Sequence, residues 1–328
     1  MLSLLLSISL AAEAHPKLSW QTCTREGCKT VNGYLVHDRH IGNVWDRERH
    51  GDLDYAKDIG VTTSGSTLQQ KLVSQASAAN NGANVIGSRL YLVDSADQKY
   101  ELFKLVGKEF TYTVDMSEIP CGVNAALYTV EMQAAGKAPG GVQYGYGYCD
   151  ANCVDGSCCA EFDIQEASSK AMVFTSHVCE KIDGGCDSSG CGYNPYRDSK
   201  DHAFWGTTID VTKPVTVVTQ FIGTAGTMTE VRRLYVQGGK VIKAAQSLSD
   251  TFCHYSATDV HNMAHMGASF QRGHVIVFSL WDGNGMSWMD GGNAGPCTSY
   301  DVATIEKTRP NLKVTWSNVK FGDIDSTY

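Results

Sequence analysis

The sequence predicts an all-β fold, a jelly-roll sandwich of two packed antiparallel sheets. Apolar and polar residues alternate along several segments, which is the period of a half-buried strand. Glycine is frequent, at 33 of 328 residues, whereas proline occurs 7 times, and this balance suits a chain with many tight turns. Helical periodicity is weak outside residues 256–270. Together these observations favour strands joined by short turns.

The first strands are predicted in chain order from their local patterns. Residues 110–114 alternate aromatic or apolar side chains with threonines, and residues 215–220 repeat the alternation. Two apolar segments, 234–236 and 240–242, are separated by a short link that contains Gly238-Gly239. A pair of glycines between two such segments predicts a β-hairpin.

Two later strands differ in how deeply they are buried. The near-continuous apolar run over residues 274–280 predicts a strand that is covered on both faces. Apolar residues then alternate over residues 312–316, but the phase slips so that Val319 continues the pattern. A slip of one position predicts a β-bulge at Ser317-Asn318.

The first residues predict a signal peptide. An apolar run of about eleven residues ends in Ala12-Glu13-Ala14, which has the small-x-small form of a signal-peptidase site. The run is shorter than the ~20 residues that span a bilayer, and no later apolar run reaches ~18. We therefore expect residues 1–14 to be removed, leaving a secreted chain with one domain over residues 15–328. A buried N-terminal strand is the alternative interpretation.

Composition and charge restrict the class of partner. With 42% hydrophobic and 19% charged residues, the chain is globular rather than disordered. Its 35 acidic residues exceed its 27 basic ones, which gives a net charge of −8, and no dense basic run offsets this charge. Such a surface repels nucleic acid and anionic lipid. We expect a neutral substrate, and neither nucleic acid nor a membrane as partner.

The twelve cysteines predict disulfides, because their number is even and the chain is expected to be exported. Zinc is the alternative, but no Cys-x-x-Cys pair or neighbouring histidine completes a tetrahedral site near residues 153–159. Cys158 and Cys159 are adjacent, and ring strain disfavours a bond between them. Each must reach a different partner, so the chain is held from two sides at this point.

The acidic stretch that carries chemistry follows these two cysteines. On a strand, Glu161 and Asp163 point to one face. Glu166 joins them only if a bulge or bend near Gln165 shifts the alternation. Crowded carboxylates repel, so one carboxyl is expected to keep its proton near neutral pH while another stays ionised. Retaining glycoside hydrolysis requires such a pair, a nucleophile and a general acid.

Two plainer interpretations of the acidic stretch compete with catalysis. The residues could form a solvated acidic strand edge or a calcium site. The spacing of the acids alone favours these two interpretations, taken together, as strongly as it favours catalysis. The two adjacent cysteines before the acids supply the rigidity that a catalytic pair needs, and this favours catalysis.

Two cysteines, one residue and then Glu-x-Asp-Ile-x-Glu occupy residues 158–166, and on this motif the sequence resembles glycoside hydrolase family 7, the retaining cellulases. The resemblance extends from His15 to Gly322, nearly the whole expected mature chain. It implies a concanavalin A-like jelly roll with a long substrate cleft on the concave sheet. Ordered matching blocks lie at residues 60–65, 87–92, 120–128, 146–150, 194–197, 217–221 and 279–282.

The resemblance also implies roles for individual residues. Glu161 is the nucleophile, Glu166 is the acid/base, and Asp163 hydrogen-bonds Glu161 and helps to set its ionisation. A β-1,4-glucan is the substrate, no metal or organic cofactor is needed, and we expect a monomer. The implied substrate-binding residues are Asn124, Tyr128, Asp150, Arg197, Trp281, Trp288 and His177, the last beside the leaving-group sugar. The implied disulfides are Cys23–Cys28, Cys121–Cys297, Cys149–Cys159, Cys153–Cys158, Cys179–Cys186 and Cys191–Cys253.

Tryptophans are the side chains to examine for stacking on sugar rings. Trp281 and Trp288 lie where a predicted buried strand leads into a Gly-rich loop. The family has inner platforms of the cleft at these two positions. Two others lie in strand-like apolar patterns and are predicted to be core residues. The assignments are platforms at Trp281 and Trp288, core positions at Trp20 and Trp316, and none for Trp45 and Trp205.

Departures from the family predict an open cleft. Segment 36–41 lacks the tryptophans that processive members carry near the far entrance, and the roof segments 152–157 and 186–191 are short. The sequence therefore favours an endo-acting β-1,4-glucanase. The alternatives are a cellobiohydrolase that releases cellobiose from chain ends and a lectin-like glucan binder without catalysis. Gln165 replaces the usual Trp or Leu, and the sequence offers no reason for this change.

One histidine pair lies outside this scheme. His261 and His265 are four residues apart and are predicted to share a face of a helix within residues 256–270. Asn262 stands where the metalloprotease pattern requires glutamate. We therefore expect a surface pair rather than a zinc site.

Overall fold

The computed structural model describes residues 13–38, 52–74, 83–137, 140–224 and 227–328. Within these ranges strands dominate and the longest helix has 10 residues. Three features that the sequence analysis discussed lie outside them: the apolar run of the signal peptide, the last three residues of segment 36–41, and Trp45.

The described ranges contain 21 strands. They are β1 (Lys17–Thr24), β2 (Gly27–His37), β3 (Val61–Ser64), β4 (Thr67–Lys71), β5 (Val73–Ser74), β6 (Val85–Ile86), β7 (Ser88–Val93), β8 (Leu102–Phe103), β9 (Lys108–Asp115), β10 (Val123–Val130), β11 (Glu161–Ala167), β12 (Met172–His177), β13 (Cys179–Lys181), β14 (Gly184–Cys186), β15 (Cys191–Tyr193), β16 (Val215–Thr224), β17 (Thr227–Gln237), β18 (Lys240–Lys243), β19 (Leu248–Ser249), β20 (His274–Asp282) and β21 (Lys313–Asp323).

Most strands belong to two layers. The first layer has the order β15-β12-β11-β10-β20-β7-β2-β1, and the second has the order β18-β17-β16-β9-β21-β4-β3. All of these neighbours are antiparallel. β1 also pairs in parallel with β21, and this pairing joins the two layers at one edge. The predicted all-β sandwich of antiparallel sheets is therefore confirmed.

The core lies between the two layers, because each presents its apolar face to the other. Phe278 of the first layer packs edge-on against Trp316 of the second, with ring centroids 5.9 Å apart. Phe162 meets Phe221 in the same way at 5.4 Å. Such aromatic contacts add to the gain from burying apolar surface. The opposite face of the first layer is left to form a cleft.

Two local predictions are confirmed by backbone geometry. Gly238 and Gly239 join β17 to β18 with φ angles of 58° and 75°, as a hairpin turn with both central residues at positive φ requires. The register of β21 against β9 shifts between Ser317 and Lys320, and Asn318 has a φ of 52°. This shift is the predicted bulge.

The predictions of two core tryptophans are confirmed. Trp20 and Trp316 are buried in the core. Trp205, which the sequence left unassigned, is buried as well, and its indole N–H donates to the Ser168 carbonyl oxygen at 3.0 Å. Trp281 and Trp288 are 40% and 44% exposed.

The described helices are short, with 4 to 10 residues each. The prediction of a helix over residues 256–270 is wrong at its start, because Asn262 caps the helix by accepting a hydrogen bond from the His265 N–H at 3.1 Å. His261 precedes this cap, and its Nε2 lies 3.0 Å from the Gly185 carbonyl oxygen, so the two histidines share no helix face. The helices are α1 (Tyr55–Asp58), α2 (Pro195–Asp198), α3 (Asp250–Cys253), α4 (Met263–Arg272), α5 (Ser287–Asp290) and α6 (Val302–Thr308).

All twelve cysteines are paired, in the six disulfides that the family resemblance implies. The pairs differ in how far apart their members lie along the chain. Cys23–Cys28 closes a separation of 5 residues, whereas Cys121–Cys297 closes one of 176. The long-range pair ties the start of β10 to the segment that follows α5.

Candidate active site

A bulge in β11 brings the three acidic side chains to one face. The pairing of β11 with β10 and with β12 shifts between Asp163 and Glu166, and Ile164 is the extra residue. Ile164 and Gln165 are both fully buried on the core side. Because two consecutive residues point inward, Glu166 faces the cleft with Glu161 and Asp163. The predicted bulge near Gln165 is confirmed.

The cleft extends to both sides of these acids. One cavity, of about 400 Å³, contains Tyr128, Asp150 and Arg89 in its lining. A second, of about 670 Å³, contains Thr175 and Arg197. Both cavities are lined by the three acids, Asn152 and Trp281, so the carboxyls stand at the junction of the two arms.

Glu161 begins β11 and is 7% exposed. Its carboxylate accepts a hydrogen bond from the Ala151 N–H at 3.2 Å. Burial, followed by the charges of Asp163 and Asp150, raises the pKa of Glu161 well above its ordinary value. The Ala151 N–H and the nearby His177 act in the opposite direction and favour the ionised form of Glu161.

Two disulfides fix the segment that leads to Glu161. Cys149–Cys159 and Cys153–Cys158 cross-link the segment 149–159, which contains Asp150 and Ala151. The adjacent cysteines bond to different partners, as the strain argument predicts. Because the donor to Glu161 lies inside this cross-linked segment, the position of that donor depends on short covalent links.

Glu166 is held from the neighbouring strand. The Asn124 side chain donates from Nδ2 to the Glu166 carboxylate at 3.0 Å and accepts from the Ala167 N–H at 3.1 Å. Burial and then the charge of Asp163 raise the pKa of Glu166 to about 8, against the lowering effects of His177 and Asn124. A carboxyl with this pKa holds its proton at neutral pH, as a general acid must.

His177 forms an ion pair with Asp163, with 3.1 Å between Nε2 and the carboxylate oxygen. Its Nδ1 lies 2.9 Å from the Asp187 carbonyl oxygen, so both ring nitrogens face acceptors. Burial lowers the pKa of His177, but the hydrogen bond and charge of Asp163 outweigh it and raise the pKa to about 10. The hydrogen-bond partner that the structure gives Asp163 is thus His177 rather than Glu161, because a positive ring attracts a carboxylate that a second carboxylate repels.

The first arm of the cleft contains a chain of hydroxyls that ends at an acid. The hydroxyls of Tyr128 and Tyr148 are 3.0 Å apart, and Tyr148 donates to Asp150 at 2.9 Å. The Arg89 guanidinium lies 3.4 Å above the centre of the Tyr148 ring and forms an ion pair with Asp38. These contacts orient polar groups toward the cavity, where sugar hydroxyls can bind.

The second arm contains an arginine and an exposed ring. Arg197 donates to the Gly192 carbonyl oxygen and, at 2.8 Å, to Asp198. Trp288 lies in this arm, whereas Trp281 borders both. Exposed indole faces that border a polar cleft suit stacking on sugar rings.

The chain resembles known glycoside hydrolases along nearly its whole length. The profile of glycosyl hydrolase family 7 matches residues 49–155 and 154–328. The chain belongs to this family. A relative, the probable endo-β-1,4-glucanase celB of Aspergillus terreus, is 36% identical over 405 aligned positions, which cover 98% of this chain and 94% of that protein.

Solved structures of family 7 enzymes have the same fold. Endoglucanase I complexed with cellobiose has a TM-score of 0.85 at 31% identity and covers 97% of this chain and 99% of its own. A family 7 cellobiohydrolase from Daphnia pulex has a TM-score of 0.85 at 30% identity and covers 98% of this chain and 99% of its own. This chain is therefore a glycoside hydrolase with the jelly-roll fold that its resemblance to family 7 implied.

The structure assembles most of the predicted site of this family 7 hydrolase. The three acids and Tyr128, Asp150, His177, Arg197, Trp281 and Trp288 all line the cleft. Asn124 differs, because it is fully buried and contacts Glu166 instead of facing the cavity. Sequence analysis assigned no role to Arg89, Asp38, Tyr148 or Thr175, although residues 87–92 and 146–150 were among the matching blocks.

Within the described ranges, one group has ligand atoms close enough for an ion: Cys121, Cys297 and Asp290. The two sulfurs of this group are bonded to each other, so they provide no thiolate ligands. Among the helices that the structure describes, none has the length and apolar character needed to cross a membrane.

Proposed function

We propose that this family 7 hydrolase is a secreted, retaining endo-β-1,4-glucanase that cleaves internal bonds of cellulose or a related β-glucan. The observation that carries the proposal is the group of three acids on β11, which stands at the junction of two open cavities. The relative named as an endo-β-1,4-glucanase and the endoglucanase bound to cellobiose support the choice of substrate.

In the first step, the Glu161 carboxylate attacks the anomeric carbon and forms a glycosyl ester. The glycosidic C–O bond breaks, and its electron pair remains on the leaving oxygen. Glu166 donates its proton to that oxygen. The pKa of about 8 for Glu166 supports this role, because the proton is present at neutral pH.

In the second step, Glu166 acts as a base. Having lost its proton, the Glu166 carboxylate removes a proton from a water molecule that attacks the same anomeric carbon. The ester to Glu161 breaks and Glu161 regains its negative charge. Two inversions at one carbon retain its configuration.

His177 supports the ionised state of the nucleophile, whereas its partner Asp163 opposes that state. Burial opposes ionisation of Glu161, and the positive charge of His177 counteracts part of that effect. His177 also lines the second arm, where its place is consistent with contact to the leaving-group sugar. Asp163 also keeps His177 charged and oriented, because its carboxylate pairs with the ring.

Endo action is favoured by the open arms and by the short roof segments. Only residues 152–157 separate the Asp150 region from Cys158, and the described part of this segment forms a single 3₁₀ turn, Val154–Gly156. A polymer can then enter the cleft from the side. The similarity to cellobiohydrolase structures makes processive exo action the alternative.

Secretion rests on the signal-peptide pattern and on the six disulfides, which persist in oxidising compartments. Cleavage after Ala14 would remove Glu13, whose carboxylate accepts hydrogen bonds from the Tyr55 hydroxyl at 3.0 Å and the Leu53 N–H at 3.3 Å. The intact mass of the secreted protein therefore reports where the mature chain begins.

The test of the proposal combines two readouts on carboxymethylcellulose. We expect viscosity to fall early, while few reducing ends have formed, because internal cleavage shortens long chains. Glu161→Gln and Glu166→Gln should each lower the rate at least about 10³-fold, and the exposed control Glu26→Gln should not.

Each alternative predicts a different result in this test. Release of mainly cellobiose with little loss of viscosity would indicate a cellobiohydrolase. Binding without any reducing ends would indicate a lectin-like protein. Near-normal hydrolysis by either glutamine variant would contradict the assigned roles.

A further inference from the structure

One charged side chain in the core has no counterion among the residues that the structure describes. Arg233 of β17 is 2% exposed, and its guanidinium lies 4.2 Å from the centre of the Phe174 ring. Two of its nitrogens, Nε and Nη1, have no hydrogen-bond partner. The ionisable groups that face it are the hydroxyls of Tyr112 and Tyr235, and none of the described carboxylates forms an ion pair with it. Burying an unpaired charge is costly, so a compensating role is expected.

A hydrogen bond of this guanidinium reaches the active-site strand. Nη2 of Arg233 donates to the carbonyl oxygen of Ile164. Ile164 is the extra residue of the β11 bulge, where the ladder of backbone hydrogen bonds is disrupted. A buried carbonyl needs a donor, and Arg233 supplies one from the opposite layer of the sandwich.

The next residue of the bulge is held in a similar way. The Gln165 side chain accepts a hydrogen bond from the Tyr112 hydroxyl at 3.0 Å and donates to the Ala125 carbonyl oxygen at 3.2 Å. Both inward-pointing residues of the bulge are thus fixed by polar groups behind the strand. Glu166 follows them directly, so its direction depends on the shape of this bulge.

We infer that Arg233 is a positioning residue for Glu166, acting through its hydrogen bond to the Ile164 carbonyl in the β11 bulge. The inference rests on the proposed acid/base role of Glu166. Without the bond, the bulge can relax, and a shift of ~1 Å in a catalytic group costs ~10²-fold in rate. The loss should concentrate on the proton transfer that Glu166 performs.

The experiment compares leaving groups in Arg233→Met. The values of kcat/KM are measured with 2,4-dinitrophenyl β-cellobioside, which needs no acid catalysis, and with phenyl β-cellobioside, which does. We expect a loss of about 10–100-fold with the phenyl substrate and under about 3-fold with the dinitrophenyl substrate. The ratio of the two values does not depend on how much of the preparation is folded.

The neighbouring arginine is a matched control. Arg232 is adjacent on β17, but its side chain is 52% exposed and pairs with Glu230. Arg232→Met removes the same charge from the other side of the strand, and its ratio should equal that of the wild type. If Arg233→Met does not fold, the ratio for Arg233→Gln decides in the same way, because glutamine is too short to replace the guanidinium.

Two outcomes separate this inference from the proposed function. If the Arg233 variants lose the same factor of kcat/KM on both substrates, so that the ratio equals that of the wild type, the inference is overturned. Glu166→Gln is measured in the same assay and should lose activity selectively with the phenyl substrate. If it does not, the acid/base assignment itself fails, whatever the Arg233 variants show.

Discussion

Glu166 keeps its proton because burial and the charge of Asp163 oppose its ionisation. The same property has a cost for folding. In the unfolded chain a glutamate has its ordinary pKa, so between pH 4.5 and about 8 the folded state binds the proton and the unfolded state does not. The contribution of Glu166 to the free energy of unfolding is therefore at its maximum below pH 4.5 and decreases as the pH rises toward 8. Catalytic function and stability conflict at this residue.

We therefore expect Glu166→Gln to be more stable than the wild type in alkaline solution. The neutral amide replaces a carboxyl that the folded protein must either keep protonated or bury as a charge, so this cost disappears. The thermal midpoint should rise by about 2–4 °C at pH 8 and show little difference at pH 4.5. Differential scanning calorimetry at both values measures this. The exposed Glu26→Gln should change neither midpoint, and a variant less stable than wild type at pH 8 would contradict the argument.

His177 controls the charge of both glutamates. Its positive ring lowers the pKa of Glu161 and of Glu166, whereas Asp163 and, for Glu161, Asp150 raise it. Without the ring charge, only the Ala151 N–H at Glu161 and the Asn124 side chain at Glu166 still oppose the raising effects. The ionised nucleophile is then formed only at higher pH.

His177→Asn should consequently move the acidic limb of the pH profile of kcat/KM upward by about one to two pH units. The limb reports ionisation of the nucleophile in the free enzyme, so the direction follows from the sign of the lost charge. His202→Asn, a change at an exposed histidine stacked on Tyr196, is the control. An unchanged or lowered limb in His177→Asn would show that the ring is not charged in the active enzyme.

At the scale of elements, two bulges show what patterns can and cannot predict. The position of both bulges followed from the alternation of side chains along a strand. In β11 the three acids share a face only if the alternation is interrupted, and in β21 the apolar residues move from one face to the other. The groups that hold the β11 bulge were not predictable, because Tyr112 and Arg233 lie on strands of the other layer. Gln165 acquires its explanation only from the fold, where its amide accepts from Tyr112 of the other layer and donates to the Ala125 carbonyl oxygen of β10.

Asn318 provides a stability test of the β21 bulge. Its φ of 52° lies in the left-handed region, which a β-branched residue adopts only at a cost. Asn318→Val should lower the free energy of unfolding by about 1–2 kcal/mol, whereas Asn318→Gly should change it little. Urea titration followed by tryptophan fluorescence measures both. Equal stability of the two variants would mean that the bulge can rearrange.

At the scale of the whole molecule, periodicity predicted the class of fold and the family resemblance predicted the cysteine pairing. The start of α4 was not predictable, because the helical pattern continues upstream of the residue that caps it. The orientation of Asn124 was hidden as well, since alternation along β10 assigns a face but not a hydrogen-bond partner. What the sequence lacked in each case was the neighbouring element in space.

The long-range disulfide connects this whole-molecule arrangement to the cleft. Cys121 precedes β10, which carries Asn124 and Tyr128, and Cys297 follows the helix that carries Trp288. A cross-link restricts the unfolded chain more when it closes a longer loop. Its loss should therefore affect stability more than the loss of a short-range pair and should also loosen the second arm of the cleft.

We expect Cys121→Ser/Cys297→Ser to lose up to about 3 kcal/mol more unfolding free energy than Cys23→Ser/Cys28→Ser, because the separations are 176 and 5 residues. Guanidinium unfolding of the two double variants measures the difference. The long-range variant should also have a raised KM for soluble cellulose, whereas the short-range variant should not, since its turn lies far from the acids. Equal losses of stability would mean that the remaining five disulfides already restrict the unfolded chain, and an unchanged KM would mean that packing alone holds the Trp288 segment.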